Sequence, residues 1–146
     1  MAIYAEMAIR PTVQEVASLM PDRTMLPSTG ELAGTFTDVT APTAAQVDAI
    51  IDMCLDALDP RVARDAGEEQ KRSVRAIITL SSAVLTELTH FSDQGNVSTE
   101  RIAAWERMIE SHTTAILGSA AAGEGGVLHV VAGSVIDGVT TVKQLL

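Results

Sequence analysis

The sequence predicts a mainly α protein: a small helical bundle with one short N-terminal helix and three longer ones, a long irregular arm, and an extended C-terminal tail that can form β structure. Three observations lead there. In three long windows apolar residues recur at i, i+3, i+4 and i+7, the spacing that lays them along one side of a helix. Two helical windows open on the sequence form of a capping box, a Thr followed three residues later by Glu or Gln. Only four aromatic residues, Tyr4, Phe36, Phe91 and Trp105, are present, so aliphatic side chains must fill the core, which suits helix packing.

The first helix is expected over 12–20. Thr12 and Glu15 have capping-box spacing, Val13, Val16, Ala17 and Met20 share a face, and Pro21 ends it. Residues 21–42 then follow neither helical nor strand period and hold three prolines, two glycines and five threonines. Compact domains rarely carry a structureless connection beyond about 12–15 residues unless it binds something. Two readings stand for this arm: an Ω-loop packed on its own domain through Phe36, or a segment that packs on a neighbouring subunit. The second is preferred, with Thr35, Phe36, Thr37, Asp38 and Val39 as the contact and a short strand possible at 35–39. Burying Phe36 between subunits would contribute roughly 1.5–3 kcal/mol per copy.

The second helix is expected over 43–58, between a Thr43/Gln46 capping box and Pro60. Val47, Ile50, Ile51, Cys54, Leu55 and Leu58 form its apolar face. On another face Asp48, Asp52 and Asp56 make an acidic row, either solvated or meeting a basic patch in this chain or the next. Residues 31–60 contain no Lys or Arg, whereas Arg61, Arg64, Lys71, Arg72 and Arg75 are five of the chain's ten cations. Within one domain this juxtaposition is surface pairing, at about 0–1 kcal/mol per pair. Between identical subunits it is an acidic edge meeting a basic edge, a heterologous contact that can close a ring.

The third helix is expected over 68–91, with Val74, Ile77, Ile78, Ser81, Val84, Leu85 and Leu88 on one face and Phe91 at its end. The turn "SDQGN" follows. Ser98 or Thr99 then caps a fourth helix, expected over 99–118 and facing inward through Ile102, Trp105, Met108 or Ile109, His112 and Ile116. The domain thus runs over 1–118, the Gly/Ala stretch 119–126 reads as a linker, and 127–146 is an apolar tail. Val127, Val130, Val131, Val135, Ile136, Val139, Val142, Leu145 and Leu146 are too many apolar groups to leave in water. A hairpin folded back on its own domain is one reading; docking on another chain is preferred.

The 146 residues carry a net charge of −9, which argues against a protein that grips nucleic acid through its charge. One cysteine precludes an internal disulfide. No signal peptide and no membrane span are expected. No phosphate loop, GxSxG or HExxH occurs. Glu87 and His90 are one half of a di-metal helix pattern whose other half is missing, so a structural or solvated role is expected for them. Cys54, on the core face, is expected to be inert, and His112 and Trp105 to be core residues. No enzyme activity, metal or cofactor is expected.

The order of elements resembles the head-to-tail connector (adaptor) proteins of long-tailed bacteriophages, especially those of actinobacterial hosts. The resemblance covers residues 11–118 and rests on "PTVQEVASLMPDRT", "GTFTDVTAPTAAQVDAIID", "LTELTHFSDQGN" and "ERIAAWERMIESHTTAIL". It implies a non-enzymatic virion protein that forms a homo-oligomeric ring, usually dodecameric, at the capsid vertex. Such a ring is assembled in the host cytoplasm and sits in the neck, joining the portal to a stopper or tail-completion protein, with double-stranded DNA passing through its channel. The row Asp48, Asp52, Asp56 is a candidate channel lining. The alternative from a different class is an acidic binding module that mimics DNA or sequesters a partner; a neighbouring role in tail completion or termination is a third reading.

Overall fold

The structure is a computed structural model that describes residues 9–58, 60, 62, 67–91 and 97–120. Four helices are described: α1 (Val13–Leu19), α2 (Ala44–Ala57), α3 (Glu68–Phe91) and α4 (Thr99–Ala120). A single 3₁₀ turn, Pro21–Arg23, follows α1. The expected bounds hold to within about two residues, the usual looseness of helix ends. Among the described residues there is no strand; one isolated antiparallel bridge joins Met25 to Leu32, and 35–39 is not a strand. The tail 127–146 lies outside the described residues.

The full capping box forms at Thr43, and Thr12 and Ser98 cap their helices singly. Thr12 accepts from the Glu15 N–H at 3.2 Å. Thr43 and Gln46 make both bonds of a capping box, at 2.9 and 3.2 Å. Ser98 caps α4 by accepting from the Arg101 N–H. Each bond satisfies a donor that a helix start otherwise leaves open.

Helix α3 is the hub: α1, α2 and α4 all pack on it. Of its expected stripe Val74, Ile77, Ile78, Ser81, Val84 and Phe91 are buried while Leu85 and Leu88 are half-buried, and Leu80, Ser82, Ala83, Thr86 and Glu87 are buried as well, which extends the buried surface well past one face. Two of its buried hydroxyls are satisfied within the helix, Ser82 donating to the Ile78 carbonyl and Thr86 to that of Ser82, both at 2.7 Å, whereas the buried Ser81 Oγ has no partner among the described residues. On α2 the buried residues are Val47, Ile50, Ile51 and Cys54. On α4 the inward residue at the ambiguous position is Ile109; Met108 faces outward. His112 is half-buried, while its neighbour Thr113 is in the core.

Candidate interaction surface

The arm begins where α1 ends. Pro21 cannot continue α1, and the tight turn it opens places Asp22 and Arg23 side by side over the junction of α3 and α4. Arg23 enters the protein and is 9% exposed, and the Glu87 side chain it meets is fully buried. Its Nε lies 3.2 Å from Glu87 Oε1 and its Nη2 bonds Oε2. Its guanidinium also stacks 4.3 Å from the centre of the Phe91 ring. The same carboxylate accepts from the Ser98 N–H at 3.4 Å and has Arg101 Nη1 at 3.8 Å. Arg101 in turn holds Asp22 with two bonds of 2.7 and 3.0 Å. The Arg101 bonds keep the Asp22 carboxyl below its ordinary range and raise Arg101 itself. A charge taken out of water must be paired. Here the pairing welds the root of the arm to the α3–α4 corner.

From that root the chain makes a miniature hairpin. The Thr24 carbonyl accepts from Ala33 N–H and the Glu31 carbonyl from Leu26 N–H, both at 2.8 Å. Gly30 closes the turn with φ of 77°, a left-handed conformation open to glycine. Buried threonines sew the rest. Thr24 Oγ1 donates to the Pro21 carbonyl and accepts from Gly34 N–H. Thr40 Oγ1 accepts from Thr37 N–H and donates to the Pro42 carbonyl, both at 2.8 Å. Phe36 then drops into the chain's own core at 4% exposure.

That burial corrects the preferred reading of the arm. Phe36 is not the contact to a neighbour; it anchors an Ω-loop to its own domain, because a Phe flanked by hydrogen-bonding threonines can be buried without stranding backbone groups. Thr35 and Thr37 are half-buried beside it, and only Asp38 and Val39 of the expected contact are exposed. The apolar surface the arm does present lies elsewhere along it. Of five exposed large hydrophobic residues among the described ones, three are on the arm: Met25 (44%), Leu32 (56%) and Val39 (62%). The other two, Met53 and Met108, sit on α2 and α4. Periodicity could not mark Met25 or Leu32, since the arm has none.

The acidic row is met from upstream. Arg10 bonds Asp52 and lies 2.9 Å from Asp48, so the cation that answers the row is not one of the downstream cluster. Hydrogen bonding to Asp52 is the main reason the Arg10 pKa is raised. Asp56 is exposed. Of the basic cluster, Arg75 pairs with Glu15 across to α1, which holds the Glu15 carboxyl below its ordinary range, and Lys71 pairs with Glu68 at 2.8 Å. Arg72 is exposed; Arg61 and Arg64 lie outside the described residues. Among the described residues of the two blocks, Asp48 and Asp52 pair with Arg10, Arg75 with Glu15 and Lys71 with Glu68, all within one chain.

Glu87 is structural, not solvated, and its carboxylate is engaged by arginines. His90 is half-buried, and desolvation lowers its pKa. Among the described residues no three His, Cys, Asp or Glu side chains converge as a metal site requires, and no helix is long and apolar enough to cross a membrane. Cys54 is buried, and desolvation pushes its thiol up to about 11. No protein-family model, curated protein or solved structure matches the chain.

Proposed function

We propose that this chain is a structural, non-catalytic component of a bacteriophage neck. In this reading copies assemble into a ring at the capsid vertex, dodecameric as is usual for the connectors it resembles, between the portal and a stopper or tail-completion protein, with DNA passing through the centre. The observation that carries the proposal is the anchored arm. An irregular loop fastened by a buried ion-pair network yet holding Met25, Leu32 and Val39 in water suits a surface made rigid for a protein partner. The resemblance across 11–118 supplies the kind of assembly.

The acidic-module alternative draws less support. A DNA mimic needs free carboxylates, whereas Glu15, Asp22, Asp48, Asp52, Glu68 and Glu87 are paired with cations of the same chain. The test is electron cryomicroscopy of the purified full chain and, where the phage can be grown, of virions. A closed ring between portal and tail is the expected result. A monomer that is absent from particles overturns the proposal.

A further inference from the structure

Two exposed patches of this chain match each other, and neither covers the other within one copy. The first is on the arm. Glu31–Leu32 and Asp38–Val39 are acid–apolar steps whose four side chains are all exposed. The Met25–Leu32 bridge and the bond from Ala41 N–H to the Met25 carbonyl, at 3.2 Å, draw the two steps onto one small fold of backbone. Residues 24–60 contain no Lys or Arg, and among the described residues neither Glu31 nor Asp38 forms an ion pair.

The second patch is on the outer side of α4. Of this helix's two arginines, Arg101 holds Asp22. Arg107 is exposed and bonds no carboxylate among the described residues, its neighbours Glu106 and Glu110 included. Beside it Met108 is exposed. Ser111, Ala115 and Gly118 follow Met108 on the same side of the helix. They are exposed and small, and a Cβ added at Gly118 would meet nothing within 4 Å. The cation and the thioether therefore stand on a low face that a partner can approach.

Single apolar side chains in water are ordinary. Here each stands beside an unpaired charge of the sign that the other patch needs, and opposite charges around an apolar contact select the partner and its register. We infer that the Glu31–Val39 stretch of one copy's arm docks on the Arg107–Met108 face of α4 in a second copy. Contact between two different patches is head-to-tail and repeats from copy to copy around a closed ring. The inference rests on the ring reading and names the contact that links neighbours.

The test reverses charges on full-length chains, with oligomeric state read by light scattering and folding by thermal melting. Glu31→Lys with Asp38→Lys, and separately Arg107→Glu, are expected to raise the concentration needed for assembly about tenfold or more, because like charges then meet. Their melting temperatures should be nearly unchanged. Arg72→Glu makes the same change of net charge as Arg107→Glu, but on α3, and is expected to leave assembly as it is. The triple variant, with both patches reversed, is expected to assemble nearly as the parent does. Additive loss in the triple variant overturns the pairing of the two patches. Weakening by only one of the two reversed patches, or by Arg72→Glu as much as by Arg107→Glu, overturns it as well. No effect of any reversal in a parent that is an oligomer overturns this contact and leaves the ring reading standing; a parent that stays monomeric overturns both.

Discussion

Arg23 and Glu87, sixty-four residues apart in the chain, meet out of water with the guanidinium Nε 3.2 Å from one carboxylate oxygen. The pair joins the root of the irregular arm to the most buried helix of the bundle. Buried pairs of this kind hold one arrangement against others more than they add net stability. Removing one partner leaves the other desolvated. Arg23→Met is therefore expected to cost about 3–5 kcal/mol in urea unfolding, and Arg23→Met with Glu87→Met to recover most of it. Equal loss in the single and double variants would show that the pair does not act as a unit.

Phe36 gives a second prediction. Since it is buried in its own domain, Phe36→Ala is expected to lower monomer stability by about 3–5 kcal/mol. Assembly should fall only in proportion to the unfolded fraction. Val39→Asp, at an exposed position, should leave the melting temperature nearly unchanged and weaken any assembly, as read by light scattering alongside calorimetry.

Acid sensitivity follows from Glu15 and Asp22. Arg75 and Arg101 hold these carboxyls below their ordinary values of 4.5 and 3.8. The unfolded chain then binds more protons than the native one as pH falls, so the stability these pairs contribute is complete above about pH 5 and lost as pH drops below 4. Both groups are partly exposed, and the effect is correspondingly modest. Urea midpoints measured from pH 7 to pH 3 are expected to fall at the acid end, less steeply in Arg75→Gln and Arg101→Gln.

Cys54 should be silent. With its thiol pushed up to about 11 from an ordinary 9.0, it holds on the order of a hundredfold less thiolate at pH 8 than an unperturbed thiol. Its reaction with a thiol reagent is expected to follow global unfolding in urea. Fast reaction in native buffer would place the residue nearer the surface than it stands here.

The helices were legible because a 3.6-residue period repeats over many positions; α3 shows the expected bounds. Glu87 was legible in part: it lies three residues after Val84 and four before Phe91, on the apolar side of the helix, and a charge in that place asks for a buried partner. Which partner was not legible, because Arg23 sits in a segment without period and a pairing across sixty-four residues leaves no local trace. The threonines of the arm could be counted, but their bonds depend on turns set by tertiary contact. The partners of Asp48, Asp52 and Arg75 were not legible for a related reason: nearness along the chain is not nearness in space, and Arg10 and Glu15 reach them from the N-terminal segment.

The bond from Asp22 to Arg101 crosses seventy-nine residues, which has a consequence for the order of events during synthesis. A chain emerging N-terminus first shows its arm early, but the corner that fastens the arm is made only when the start of α4 has followed it out of the ribosome. Until then the arm that carries Met25, Leu32 and Val39 lacks its bond to α4 and has only Phe36 and the Arg23–Glu87 pair to hold it. The root of the arm is therefore completed only after the start of α4 has been made.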